Sequence, residues 1–248
     1  MKVRVGIIGG GQLGKMIAQE AQRMSIQVII LDPSKDCPAS TLCSRQIIAG
    51  FKDPKAIREL AEASDVLTYE IESGNSETLR QLELDGFKIF PSSETLRVIQ
   101  DKFLQKDFLK KKGLPVPHCI EMNAHLNPAL NFGYPFLLKH RTDAYDGRGN
   151  LTIRSEQDFQ QNQDVLKLSS HKYMVEEFVP FEKEISVMVA RNSQGQVVSY
   201  PVVENIHQDH ILVMTLAPAR IPASIEKEAK TPNEFGIGIS RNRCGWEC

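Results

Sequence analysis

The sequence predicts an α/β domain followed by an α+β domain. Three observations carry this: strands and helices alternate through the first third, a glycine-rich turn joins the first strand to the first helix, and short strands dominate from Pro135 onward.

Val3 to Ile8 is a β-branched run that leads into Gly9-Gly10-Gly11-Gln12-Leu13-Gly14 and then a helical segment to Met24 with Met16, Ile17 and Ala21 at helical spacing. Val28 to Leu31 reads as the next strand, ending at Asp32-Pro33. Ala56 to Ala63 reads as a helix and Asp65 to Tyr69 as a strand, giving a parallel, doubly wound sheet. Ser92 and Ser93 cap one amphipathic helix in which Leu96, Ile99 and Phe103 share a face, ended by Gly113 and Pro115. A boundary is expected near Pro91 or Gly113. Beyond it, strands are expected at Phe136 to His140, Leu151 to Ile153, Tyr173 to Phe178, Glu184 to Ala190, Val197 to Val203 and Ile211 to Leu216. The adopted division is 1–91, 92–230 and an aperiodic tail, 231–248, that holds the only Trp and two of the five Cys.

Composition narrows the function. The 248 residues carry 30 Lys+Arg against 31 Asp+Glu, a net charge of -1, so no bulk field draws the chain to DNA or a membrane surface. Small-molecule partners are expected, with no nucleic acid and no membrane. No run reaches the roughly 18 apolar residues of a membrane span. The cysteines at 37, 43, 119, 244 and 248 form no C-x-x-C pair, which suits a reducing cytoplasm and predicts neither structural zinc nor a disulfide framework.

Gly9, Gly11 and Gly14 fit G-x-G-x-x-G, with Asp32 where a ribose-binding acid would end the second strand. The glycines suit a dinucleotide, another phosphate, or the turn geometry alone, and Gln12 has an amide to offer an anion. Glu70 and Glu72 flank Ile71 at a strand end, where alternation would aim both carboxylates to one face, either toward a ligand crevice or toward solvent. Tyr145-Asp146-Gly147-Arg148-Gly149-Asn150 lies in a loop six residues after Lys139. Its glycines let amides approach an anion, and its Tyr, Asp and Arg add directional groups that a bare turn does not need. Lys102 and Lys139 sit in apolar surroundings, where a lysine either has an anionic partner or runs its stem out to water. Glu176-Glu177-Phe178-Val179-Pro180 ends a strand, and Glu184 follows eight residues after Glu176. The segment offers backbone atoms to an adenine edge and the later carboxylate suits ribose hydroxyls, or both are simply outward acids. Glu204 to His210 reads as a polar connection, in which His207 and His210 suggest either a metal or hydrated loop histidines.

Taken together, GGGQLGKM (Gly9 to Met16), YEIE (Tyr69 to Glu72), QDKFLQK (Gln100 to Lys106), YDGRGN (Tyr145 to Asn150), EEFVPFEKEISV (Glu176 to Val187), YPVVEN (Tyr200 to Asn205) and HQD (His207 to Asp209) resemble the N5-carboxyaminoimidazole ribonucleotide synthetases, ATP-grasp ligases of IMP and purine biosynthesis. The resemblance covers about residues 1 to 230. It implies a Rossmann-like pre-ATP-grasp domain that needs no NAD, followed by an ATP-grasp domain that is incomplete. The implied reaction uses ATP and magnesium to phosphorylate bicarbonate, and the resulting carboxyphosphate carboxylates the exocyclic amine of aminoimidazole ribonucleotide. Lys102 and Lys139 would hold phosphates, Glu176, Glu177 and Val179 would line the adenine pocket, Glu184 would bind ribose and His207 would border the nucleotide. Gln12, Glu72, Tyr145, Asp146 and Arg148 would contact the ribonucleotide, with Asp146 and Arg148 as the catalytic pair. A homodimer is the implied assembly.

The chain departs from that family after about Lys230, where the family's magnesium-binding acids and a later histidine-rich motif would follow. The expectation is therefore no metal ligand within this chain, and little or no synthetase activity from it alone. A non-catalytic ATP-binding or dimerising fragment and an NAD-dependent oxidoreductase are the competing readings.

Overall fold

The computed structural model describes residues 3–123, 125–142, 149–208 and 211–230, and their contacts divide between Asp101 and Lys102 into two units. The first unit runs β1 (Arg4–Ile8), α1 (Gln12–Arg23), β2 (Gln27–Leu31), β3 (Arg45–Ile47), α2 (Pro54–Ala63), β4 (Val66–Tyr69), α3 (Ser76–Leu84) and α4 (Ser93–Ile99). Its sheet has the order β3-β2-β1-β4, and every pair is parallel. Period-two alternation explains why both faces are covered. Ile7, Val28 and Ile30 pack with Ala18 and Ala21 of α1, whereas Ile8, Ile29, Leu31 and Leu67 pack with Ile57 and Leu60 of α2, Leu79 and Leu82 of α3 and Leu96 of α4. Caps set the helix starts: Asp53 accepts from Lys55 N and Ala56 N ahead of Pro54, Asn75 accepts from Thr78 N, and Ser92 accepts from Thr95 N.

The single helix expected from Ser92 to Gly113 is two helices, and the break carries the division between units past Pro91 to Asp101. Gln100 donates through Nε2 to the carbonyls of Glu72 and Gly74, at 2.6 Å each. Lys102 N donates to Arg141 O at 2.8 Å instead of continuing the helical ladder. The apolar period runs through this point because Leu96 is fully buried in the first core while Lys102 starts α5 (Lys102–Lys111) of the second unit.

The second unit continues with β5 (Cys119–Glu121), α6 (Ala129–Phe132), β6 (Phe136–His140), β7 (Asn150–Ile153), α7 (Glu156–Ser169), a 3-10 turn at Ser170–Lys172 and β8 (Tyr173–Glu177). β9 (Glu184–Ser186), β10 (Val189–Arg191), β11 (Val197–Ser199), β12 (Val203–Gln208), β13 (Ile211–Leu216) and α8 (Ala223–Lys230) follow. One antiparallel sheet has the order β5-β8-β6-β7, and its core gathers Met122, Phe136, Leu138, Ile153, Phe159 and Val175. A second has the order β13-β12-β9, and β10 pairs with β11. Three sequence expectations change here. Glu184 to Ala190 forms two strands, Val197 to Val203 contributes to two, and Glu204 to Gln208 is strand rather than loop because β12 is paired on both edges. No helix among the described residues is long and apolar enough to cross a membrane.

Candidate functional site

The glycine turn of the first unit is closed by the chain's own carboxylates. Gly10 N donates to Asp32 Oδ2 at 2.9 Å, and Gly11 N donates to Glu70 Oε1 at 2.9 Å. Gly9 has φ +103°, and a Cβ there would lie 2.6 Å from Glu70 Oε1, so the turn admits only glycine with that carboxylate in place. Asp32 also accepts from Ser34 N at 2.8 Å. Two amides of the turn, those of Gly10 and Gly11, therefore have internal acceptors, which counts against a dinucleotide phosphate in the turn itself. β4 ends at Tyr69, so strand alternation does not govern the two acids beyond it. Glu70 turns to Gly11, while Glu72 is exposed and its carbonyl accepts from Gln100. Gln12, the first residue of α1, is also exposed.

In the second unit three charged side chains meet in the interior. Lys139 on β6, Glu176 on β8 and Lys106 on α5 are 6%, 2% and 8% exposed. Lys139 Nζ donates to Glu176 Oε1 at 3.1 Å, and Lys106 Nζ lies 2.8 Å from Glu176 Oε2. That second contact is a charge pairing rather than an aligned hydrogen bond. Two ammoniums on one carboxylate leave a net positive charge where water is scarce, an arrangement that favours a bound anion. Across the β6–β7 ladder Lys139 faces Asn150, whose Oδ1 is buried with no hydrogen-bond partner among the described residues. On the neighbouring strand Cys119 pairs with Glu176, and its thiol pKa is pushed up, first by burial and also by that carboxylate, with Lys106 opposing. Lys106 is the site residue that sequence reasoning missed. Its signal was its place in QDKFLQK, where it is the one buried residue of α5.

A cleft of about 410 Å³ is lined by Phe181, Lys183, Glu184, Glu204, Asn205 and His207, among others. Glu184 Oε1 accepts from Asn205 Nδ2 at 3.0 Å, and His207 Nδ1 lies 3.5 Å from Glu184 Oε2. Lys183 bridges both oxygens of Glu204 at 2.9 and 3.0 Å and donates to Arg220 O at 3.1 Å. Glu177 N donates to His118 O at 2.9 Å at the end of β8, after which Phe178 and Val179 leave the ladder. Lys102 is half-buried at the start of α5. Tyr145, Asp146 and Arg148 lie outside the described residues. Gly149, which follows them, has φ +80° and its carbonyl accepts from His140 N at 3.0 Å. No group of three or more His, Cys, Asp or Glu side chains that could hold a metal ion occurs among the described residues.

The order of the units, parallel then antiparallel with buried lysines, has a counterpart in known domains. Residues 1–100 match the ribonucleotide synthetase preATP-grasp domain, and residues 107–234 match the ATP-grasp domain. The chain belongs to the ATP-grasp family. It is 42% identical over 242 residues to a phosphoribosylaminoimidazole carboxylase of Saccharomyces cerevisiae, covering 94% of this chain and 42% of that protein. Among solved structures, it resembles an ADP complex of an N5-carboxyaminoimidazole ribonucleotide synthetase with TM-score 0.86 and 37% identity, over 92% of this chain and 61% of the other. It likewise resembles the N5-carboxyaminoimidazole synthase of Aspergillus clavatus in complex with ADP and 5-aminoimidazole ribonucleotide, with TM-score 0.82 and 33% identity, over 92% and 60%. The chain thus spans about two fifths of the yeast relative and about three fifths of these structures.

Proposed function

We propose that this chain binds ATP through its second unit and takes part in the ATP-dependent carboxylation of 5-aminoimidazole ribonucleotide with bicarbonate. The observation that carries the reading is the buried Lys106–Glu176–Lys139 cluster, whose net positive charge suits a polyphosphate. Lys139 and Lys102 hold the phosphates, Glu176, Glu177 and Val179 line the adenine, Glu184 takes the ribose, and His207 borders it. Gln12, Glu72, Tyr145, Asp146 and Arg148 are assigned to the ribonucleotide, with Asp146 and Arg148 at the reacting centre. In the reaction a bicarbonate oxygen attacks the γ-phosphorus of ATP and ADP leaves. The carboxyl carbon is then transferred to the exocyclic amine, and phosphate leaves. The chain's own part, on this reading, is to fix the nucleotide by cations and hydrogen bonds while the charge on the transferred group grows. Magnesium would neutralise phosphate oxygens when bound, and no step is assigned to it.

Supporting the reading are the two domain matches and the similarity to proteins solved with ADP and with 5-aminoimidazole ribonucleotide. The three described cysteines, Cys37, Cys43 and Cys119, carry free thiols, which fits a cytoplasmic setting. A homodimer belongs to the same reading, and the exposed Leu13, Met16 and Ile17 on α1, with Met24 just after its end, support it. Sedimentation of the purified chain as a monomer alone removes that part.

The test is ADP formation by the purified 248-residue chain with ATP, magnesium, bicarbonate and aminoimidazole ribonucleotide, alongside ATP binding by calorimetry. Ribonucleotide-dependent turnover establishes the carboxylation. Binding without turnover supports the second reading, an ATP-binding module. Loss of both overturns the nucleotide site.

A further inference from the structure

The β13-β12-β9 sheet carries a transverse row of polar side chains. Asn205 of β12 is in register with Glu184 of β9 on one side and with Thr215 of β13 on the other. The side chains connect along that row. Thr215 Oγ1 donates to Asn205 Oδ1 at 3.2 Å, and Asn205 Nδ2 donates to Glu184 Oε1 at 3.0 Å and to Ser186 Oγ at 3.1 Å. Asn205 thus has both ends of its amide committed, which fixes which end faces Glu184. Were the amide reversed, its oxygen would face the carboxylate and repel it. Thr215 sits on a strand that is exposed along most of its length, so its hydroxyl is not held by burial.

We infer that Asn205 and Thr215 are positioning residues that set the Glu184 carboxylate for a vicinal diol, and so give the cleft its preference for a ribonucleotide over a deoxynucleotide. The inference rests on the reading of Glu184 as the ribose acceptor and extends it to the residues that aim it. The geometry divides the carboxylate's work. Oε1 accepts from Asn205 and Oε2 faces His207 at 3.5 Å, and a carboxylate has about four lone-pair sites, so acceptor capacity remains for two hydroxyls. Without Thr215 the Asn205 oxygen loses its partner, so the amide that holds Glu184 Oε1 is less firmly set and the carboxylate less closely aimed. The cost falls on hydroxyl contacts, not on phosphate or base.

The experiment is calorimetric binding of ATP and of 2′,3′-dideoxy-ATP to the full chain and to its Thr215→Val, Thr215→Ser and Asn205→Ala variants. The expected result is weaker ATP binding by about three- to tenfold in Thr215→Val and Asn205→Ala, the scale of one net hydrogen bond, with dideoxy-ATP unchanged and Thr215→Ser restoring the difference. Thr215→Val keeps a β-branched residue on an edge strand, so its circular dichroism melt should match the parent, and this variant decides the case if Asn205→Ala unfolds. Parent-like discrimination in Thr215→Val overturns the positioning role and leaves the reading of Glu184 intact. A parent chain that binds both nucleotides equally, or neither, overturns that reading and this inference together.

Discussion

The Lys106 ammonium lies 2.8 Å from Glu176 Oε2, on a carboxylate that Lys139 already engages at 3.1 Å through Oε1. The three groups are not equivalent. Removing the carboxylate leaves two buried cations facing each other, whereas removing Lys106 leaves a neutral pair. Glu176→Gln is expected to destabilise the second unit by about 3 kcal/mol. Lys106→Met is expected to cost less than that, because it leaves Lys139 and Glu176 as a neutral buried pair. Equilibrium urea unfolding followed by circular dichroism checks the order, and equal losses would contradict the charge count.

Glu70 occupies the place over the glycine turn that an external anion would take. Glu70→Ala should lower stability by about 1 kcal/mol and leave the Gly11 amide without its acceptor. It should also create a weak anion site, so that inorganic phosphate raises the melting temperature of the variant but not of the parent. An identical phosphate response in both proteins would show that the amides were never closed.

Acid should weaken the second unit through His140. Burial, and then Lys172 and Lys102, lower its pKa from the ordinary 6.5. The folded state therefore binds a proton less readily than the unfolded chain. The stability linked to this group is present above the unfolded value and is lost as pH falls through the folded one. His140→Phe keeps the edge contact with Tyr173, now at 4.3 Å between ring centroids. It should flatten the decline in unfolding free energy that sets in as pH falls through the ordinary value of 6.5. An unchanged slope would place the acid sensitivity elsewhere.

β13 is apolar and open to water: Ile211, Leu212, Val213 and Met214 are each at least half exposed. An uncharged strand at the edge of a sheet invites pairing with other chains. Val213 lies opposite no residue of β12, because the register shifts between Ile206 and His207, so a charge there disturbs no cross-strand pair. Val213→Lys should reduce concentration-dependent light scattering while changing stability by less than about 0.5 kcal/mol. Undiminished scattering would mean that another surface drives association.

Much of the architecture was legible along the chain. Strand, glycine turn and helix at the N-terminus and the strand that carries Lys139 followed from local periodicity, because each buries a face that repeats within a few residues, and the strand at Ile211 to Leu216 followed from its β-branched apolar run. The helix break at Gln100 was not legible. Its cause is competition for Gln100 and Lys102 from carbonyls of Glu72, Gly74 and Arg141, which lie about 26 to 39 residues from the groups they accept from and leave no trace in the local pattern. The strand at Glu204 to Gln208 was hidden for a similar reason. Its polar alternation looked like loop, and only pairing with β9 and β13 makes it sheet.

By itself, then, the amino-acid order determined the two-domain plan, the glycine turn and the residue types available for binding a nucleotide. Tertiary structure alone decided which partners those residues have. Glu70 closes the turn instead of standing beside Glu72, and Lys106 joins Lys139 on Glu176. The physical reason is that a buried charge or amide must be compensated by whatever group the fold brings within about 3 Å, and that group is chosen by strand register and helix placement, not by distance along the chain.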